Sequence, residues 1–226
     1  NGVAYVFDAR NKSLRAELTE GHRWLASRAF YCRIDGQPRL ITAAGDNSVC
    51  VWDAQSHTQI ATVPDTGYRG LLALSTDENG EARYFATGTK EHTVRVWDAR
   101  TLKEKCELLA DYVKQQRERL AASFPDMDEA RRESVLPEVT AVAFSPDGSM
   151  VFIGERSGMC HLLRVADEQP VVPPFQGHGE MINAAAFTPW GDLLTAGDDG
   201  TVAQWGAATG SLVGTRWRHQ LEAGRG

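Results

Sequence analysis

The sequence has 226 residues, 42% of them hydrophobic and 24% charged, which suffices for a sizeable core and excludes a largely disordered chain. Its 24 Lys and Arg against 30 Asp and Glu give a net charge of −6, which argues against non-specific binding of a phosphate backbone, because that needs a broad basic face. No apolar run approaches the roughly 20 residues of a membrane helix and no signal-peptide pattern opens the chain, so neither membrane insertion nor nucleic-acid binding is expected.

In chain order, Val3 to Phe7 and Leu14 to Leu18 are short runs with strand character on either side of a turn. The Asn11-Lys12-Ser13 triplet in that turn matches a glycosylation acceptor and is read as a chance match. Residues 23–63 and 68–108 each carry several β-branched or aromatic runs separated by turn formers, the pattern of sheet rather than helix. Residues 109–137 break it. Ala110 onward is rich in helix formers, with Tyr112, Val113, Gln116 and Leu120 on one side; Pro125 and Asp126 interrupt, Met127 to Leu136 can add a turn or two, and Pro137 restores extended chain. Residues 138–175 begin with the strand Val139 to Phe144, which runs into Ser145-Pro146-Asp147-Gly148, a turn where proline presets φ and glycine accepts a positive one. Residues 180–217 repeat this as Ile182 to Phe187 and Thr188-Pro189-Trp190-Gly191. The strands Leu193 to Ala196 and Thr201 to Trp205 follow, joined through Gly197-Asp198-Asp199-Gly200, and Ser211 to Trp217 is expected as a fourth strand.

Aligned on one aromatic or aliphatic position, five segments are self-similar: Asn1 to Asp8, Asp46 to Asp53, Glu91 to Asp98, Ser157 to Arg164 and Asp199 to Gly206. Their anchors Phe7, Trp52, Trp97, Leu163 and Trp205 are spaced by 45, 45, 66 and 42 residues, the long interval being the one that holds the helical insertion. Gly21-His22 stands 30 residues before Trp52, and Gly177-His178 stands 27 before Trp205. With a Gly-His near its start and a Trp-Asp about 30 residues on, the repeat resembles the WD40 family.

The resemblance implies an all-β fold, a WD40 β-propeller of which this chain holds about four and a half blades of a seven-bladed ring, with a short helical insertion. Residues 1–22 are then the outer strands of an incomplete first blade, 23–63, 68–108, 138–175 and 180–217 are blades, 109–137 is an insertion on the top rim, and 218–226 is a tail. The missing inner strands and further blades are expected in sequence outside these residues or in a partner chain, since an open arc leaves strand edges and an apolar flank in water. The family's structural tetrad of histidine, Ser/Thr, aspartate and tryptophan maps onto His22, Thr42, Asp46 and Trp52, and onto His178, Thr195, Asp199 and Trp205. In the 68–108 blade Tyr68 and Glu91 replace histidine and aspartate beside Thr87 and Trp97, so a partial network is expected there. In the 138–175 blade Ile153, Ser157 and Leu163 occupy the equivalent places, and apolar packing alone is expected to hold it.

No catalytic, cofactor-binding or metal-binding residues are assigned. The tetrads absorb His22, His178, Asp46 and Asp199, while His57, His92, His161 and His219 fall in different units without metal-ligand spacing. Cys32, Cys50, Cys106 and Cys160 form neither a CxxC pair nor a compact disulfide framework and are read as reduced and structural, in an intracellular protein. Candidate partner-binding residues come from three places. Trp97-Asp98-Ala99-Arg100, echoed by Phe7-Asp8-Ala9-Arg10, looks like the WDxR signature of WD40 substrate receptors for cullin-4 ubiquitin ligases, in which the arginine faces the ligase adaptor; the alternative for Arg10 and Arg100 is a local ion pair or a solvated turn. Trp190, in a turn position usually held by aspartate, is either an outward interface anchor or packed against a neighbouring blade. The insertion, with Tyr112 and Arg117, is either a solvated decoration or a partner-binding arm. The function these readings imply is a non-catalytic scaffold or adaptor that holds other proteins of a multisubunit complex, the alternative being a cullin-4 substrate receptor.

Overall fold

A computed structural model describes residues 3–19, 21–64 and 70–218, which fall into two compact units, 1–136 and 137–226. Asn1 and Gly2, Tyr68 and Arg69, and His219 with the rest of the tail lie outside the described residues. The fold is all-β, built from antiparallel sheets of sequential strands with two short helices among the described residues.

In the first unit, β1 (Ala4–Phe7) and β2 (Leu14–Leu18) form a two-stranded sheet. Four-stranded meanders follow: β3 (Ala26–Ile34), β4 (Gln37–Ala44), β5 (Val49–Asp53) and β6 (Gln59–Val63), then β7 (Leu72–Thr76), β8 (Ala82–Gly88), β9 (Val94–Asp98) and β10 (Glu104–Leu108). The buried runs of β4 and β5, with neighbours on both faces, explain why these strands are nearly continuous in Ile, Val, Cys and Ala rather than strictly alternating. One face of β3–β6 contributes Cys32, Ile41 and Val51 to a core shared with Leu72, Phe85 and Trp97 of the next sheet, where the Phe85 and Trp97 rings stack at 6.0 Å. The other face turns Cys50 and Trp52 against Leu18, Val6 and Ala4 of the two-stranded sheet.

The insertion forms α1 (Ala110–Ser123) and α2 (Glu129–Ser134). Val113 is buried and Tyr112, Gln116 and Leu120 are half-buried, the side expected from helical spacing. Asp128 caps α2 by accepting the Arg131 N–H at 2.8 Å, and Arg117 clamps Glu133 through two N–H···O contacts of 2.9 and 3.0 Å, tying the helices together.

In the second unit, β11 (Val139–Phe144), β12 (Met150–Glu155), β13 (Met159–Arg164) and β14 (Pro170–Gln176) make one meander. The other comprises β15 (Ile182–Phe187), β16 (Leu193–Gly197) and β17 (Thr201–Gly206), whose outer edge is paired by β18 (Ser211–Leu212) and β19 (Trp217–Arg218). The expected continuous strand Ser211 to Trp217 is therefore corrected to two short pieces. Val213 still donates to the Gln204 carbonyl at 2.7 Å, but Gly214 at φ 75° turns the chain off the ladder before Trp217 rejoins it opposite Val202. Ala141, Phe152, Cys160 and Leu162 of the first meander pack against Ile182, Leu193, Ala203 and Trp205 of the second.

Candidate functional site

Each sheet brings together polar side chains that the sequence scatters. In β3–β6 the hub is Thr42, which is fully buried: its Oγ1 accepts the Trp52 indole N–H at 2.9 Å and lies 2.7 Å from His22 Nε2. With the Thr42 hydroxyl donating to Nε2, His22 carries its proton on Nδ1 and donates to Ser48 Oγ at 2.8 Å, which in turn donates to Asp46 Oδ1 at 2.6 Å. Asp46 itself stands 3.6 Å from the ring, so Ser48, not anticipated from the sequence, relays the link. Burial holds the His22 pKa below its ordinary value despite the facing Asp46 carboxylate. Burial pushes Asp46 the other way, but the Ser48 hydroxyl and the Arg23 and Ser48 amides outweigh it and keep its carboxyl acidic.

The β15–β17 network is tighter. Thr195 Oγ1 accepts the Trp205 indole N–H at 2.8 Å and meets His178 Nε2 at 2.7 Å, while His178 Nδ1 faces both Asp199 oxygens at 3.1 Å. The Thr201 hydroxyl, the Gly179 amide and His178 hold Asp199 far below the usual carboxylate range, against the upward push of burial. The glycine of each Gly-His pair has a steric reason. A Cβ on Gly21 would stand 2.2 Å from the Trp52 ring, and one on Gly177 would stand 2.4 Å from Cys160 Sγ.

In β7–β10 the Trp97 indole N–H donates to Thr87 Oγ1 at 2.9 Å. Glu91 does not take the aspartate's place: its carboxylate pairs at the surface with Lys90 at 3.9 Å, and the buried Thr89 and Thr93 hydroxyls, 2.7 Å apart, pass their hydrogen bonding to Glu107. The sheet β11–β14 overturns the expectation of apolar packing alone. Glu155 and His161, both almost fully buried, meet at 2.6 Å between Oε1 and Nε2, and the Ser157 hydroxyl donates to the other carboxylate oxygen at 2.7 Å. The hairpin carries Glu155 and His161 from adjacent strands to one buried point, so the polar network survives with a different origin. A polar pair flanking a tight turn inside otherwise apolar strands was the signal for it.

Trp97 is buried, with its indole N–H donating inward to Thr87. Asp98 is half-buried and organises its turn by accepting the Arg100 and Thr101 amides, which together with the Thr101 hydroxyl keep its carboxyl acidic. Arg100 reaches across to Asp35, in the β3–β4 turn of the neighbouring sheet, at 2.9 Å; both side chains are largely exposed. Arg10 is exposed beside an Asp8 that pairs with Arg15. Trp190 is 74% exposed, its indole N–H donating to Asp192 at 3.1 Å. On the insertion, Tyr112 is half-buried and Arg117 is engaged with Glu133.

Chemically, the His22–Asp46, Glu155–His161 and His178–Asp199 pairs are consumed inside the sheets, and the four cysteines are free thiols in buried positions, burial pushing Cys32 up to about 11 and Cys160 to about 12. Among the described residues no group of three or more His, Cys, Asp or Glu is placed to hold a metal ion, and no helix is long and apolar enough to cross a membrane.

Comparison with known proteins agrees with this architecture. The family model described as "WD domain, G-beta repeat" matches residues 134–163 and 169–206. A guanine nucleotide-binding protein subunit beta-like protein of Encephalitozoon cuniculi is 24% identical over 224 residues, covering 94% of this chain and 61% of that protein. The guanine nucleotide-binding protein subunit beta-1 of Nicotiana tabacum is 22% identical over 206 residues, covering 88% of this chain and 48% of its own length. A chain in a crystal structure of the mitotic checkpoint complex superimposes with a TM-score of 0.67 at 20% identity, covering 94% of this chain and 58% of that one. The chain thus spans about half to three-fifths of the length of these relatives.

Proposed function

From the premise that this chain belongs to the WD40-repeat family, we propose that it is a non-catalytic scaffold or adaptor that holds other proteins of a multisubunit intracellular assembly. One observation carries this reading: His22, His161 and His178 are spent on holding sheets rigid, while exposed turns offer the groups that dominate protein interfaces, a tryptophan at Trp190 and arginines at Arg10 and Arg100. Rigid sheets that hold their turns in place suit recognition, because little ordering entropy remains to be lost on binding.

A second reading, a substrate receptor of a cullin-4 type ubiquitin ligase, is favoured by the repeated Asp-Ala-Arg turns at residues 8–10 and 98–100. In that role Arg100 exchanges its exposed Asp35 partner for the adaptor, an exchange that forfeits little because such surface pairs contribute about 0–1 kcal/mol. Co-purification with cross-linking separates the two. The scaffold reading expects a stable set of partners that survives an Arg10→Ala/Arg100→Ala double substitution, and Trp190→Ala to remove a subset of them. Loss of a ligase adaptor from the double variant alone would transfer the assignment to the receptor reading. A hydrolytic activity abolished by His22→Ala would contradict both.

A further inference from the structure

The helical insertion carries a residue pattern that the sheets do not use. Ser13, Thr42 and Ser134 are the serines and threonines with an arginine three residues before them, and of these Ser134 alone has a second arginine two residues before it. The segment reads Arg131-Arg132-Glu133-Ser134, followed by the apolar Val135. Two guanidinium groups just ahead of a hydroxyl suit the carboxylate-lined substrate cleft of an arginine-directed serine kinase, because arginine pairs with carboxylates in a fixed fork, and an apolar residue after the hydroxyl fills the adjoining surface.

Position in the fold separates the three hydroxyls. Thr42 is fully buried as a network hub. Ser13 lies in the β1–β2 turn, where its carbonyl accepts the Asp8 N–H at 2.8 Å and the next residue, Leu14, pairs with Phe7, so its backbone is held in a hairpin. Ser134 ends α2, with Arg131, Ser134 and Val135 all exposed, and its hydroxyl donates to the Arg131 carbonyl at 2.8 Å within the same helical turn. Between the buried Val113 and Leu136 no residue is buried, and a helix of six residues has little stability of its own. Surface contacts hold it closed: the Asp128 cap, the Arg117–Glu133 clamp, and the Arg132 guanidinium donating to the Phe124 and Pro125 carbonyls at 3.1 and 2.7 Å. The segment therefore opens at small cost to the extended form that a kinase cleft takes.

We infer that Ser134 is a phosphoacceptor site for a separate, arginine-directed serine kinase, with a nucleoside triphosphate as the phosphoryl donor. Ser134 Oγ attacks the γ-phosphorus, and the new O–P bond forms as the bond from phosphorus to the β,γ-bridging oxygen breaks. The nucleoside diphosphate leaves with that electron pair, and the hydroxyl proton passes to the kinase's base. The phosphate, with a charge of about −1.5 to −2, then stands next to Glu133 at the C-terminal end of α2, where like charge and the unpaired helix carbonyls oppose it. Glu133 holds Arg117 at 2.9 Å and faces His92, in the β8–β9 turn, at 3.7 Å. Unwinding α2 thus releases both ties and frees this part of the insertion. The inference is independent of the scaffold reading.

The test incubates the whole native polypeptide with a purified arginine-directed serine kinase and ATP, and maps the phosphate by fragmentation mass spectrometry. Phosphate is expected on Ser134, absent from Ser134→Ala and unaffected by Ser13→Ala. Arg131→Ala with Arg132→Ala should slow incorporation by about 10- to 100-fold, the effect of losing charged hydrogen bonds to the kinase. Arg117→Ala, which loosens the closed form, should speed it by about 2- to 5-fold. Hydrogen exchange across residues 129–134 should quicken by about 10-fold once Ser134 is modified. A native protein left unmodified at Ser134 while a peptide of residues 128–137 is modified would overturn the inference, as would phosphate placed on Ser13 instead. Unchanged exchange in α2 after full modification would overturn the release of the insertion.

Discussion

Replacing Thr42 by valine keeps the shape of the side chain and removes only the hydroxyl at the hub of the first network. Two buried groups then lose their partner, the Trp52 indole N–H at 2.9 Å and His22 Nε2 at 2.7 Å. An unpartnered buried polar group costs about 1–3 kcal/mol, and a valine methyl gains a little from burial, so Thr42→Val is expected to destabilise by about 2–4 kcal/mol. Thr195→Val should cost the same, because its hydroxyl serves Trp205 and His178 in the same way. Thr87 serves a single indole, that of Trp97, so Thr87→Val should cost about half as much, roughly 1–2 kcal/mol. All three threonines are almost fully buried, which makes burial alone a poor discriminator between them. Urea unfolding followed by tryptophan fluorescence ranks the three variants. Equal losses at Thr42 and Thr87, or a larger loss at Thr87, would refute the reasoning that hydrogen-bond partners set the cost.

Removing one member of the buried Glu155–His161 pair, as in His161→Leu, leaves Glu155 buried without its histidine partner and should cost about 3–5 kcal/mol, whereas Glu155→Leu with His161→Leu should recover part of that loss; thermal melts of the three proteins decide it. Burial disfavours the charged imidazole of His22, so its folded pKa lies below 6.5 and the unfolded state takes up protons first; stability should therefore fall as pH drops below about 6.5, and NMR titration of the ring checks the sign. Asp46 and Asp199 act lower down, with folded pKa values depressed from 3.8, so their contribution is present above that value and is lost as acid protonates them. Arg117→Ala breaks the exposed clamp on Glu133 and should change global stability by less than about 1 kcal/mol while hydrogen exchange in α2 accelerates.

Much of this architecture could be read from the chain because its cause is local. Turn formers such as Ser145-Pro146-Asp147-Gly148 delimit strands, and the recurrence of Trp52, Trp97 and Trp205 sets the period. The threonine hubs were legible because each lies ten residues before its tryptophan, the distance that one hairpin imposes. What escaped depends on contacts between strands or sheets. Glu155 and His161 meet only after a hairpin folds them together, and no repeat signature marks them. Asp35 and Arg100 are 65 residues apart and belong to different sheets, so their ion pair had no sequence counterpart. The break between β18 and β19 comes from a single glycine in a left-handed conformation, which a strand-rich composition conceals.

The recurring tryptophans are wired into the sheets through buried threonine hydroxyls, and indole hydrogen exchange measures this directly. The chain has six tryptophans; Trp52, Trp97 and Trp205 donate their N–H to Thr42, Thr87 and Thr195, whereas Trp24, Trp190 and Trp217 are exposed. In deuterated buffer, three indole N–H signals should persist long after three have vanished, and assignment should place the persistent set at Trp52, Trp97 and Trp205. Loss of those three as fast as the exposed set would contradict the account.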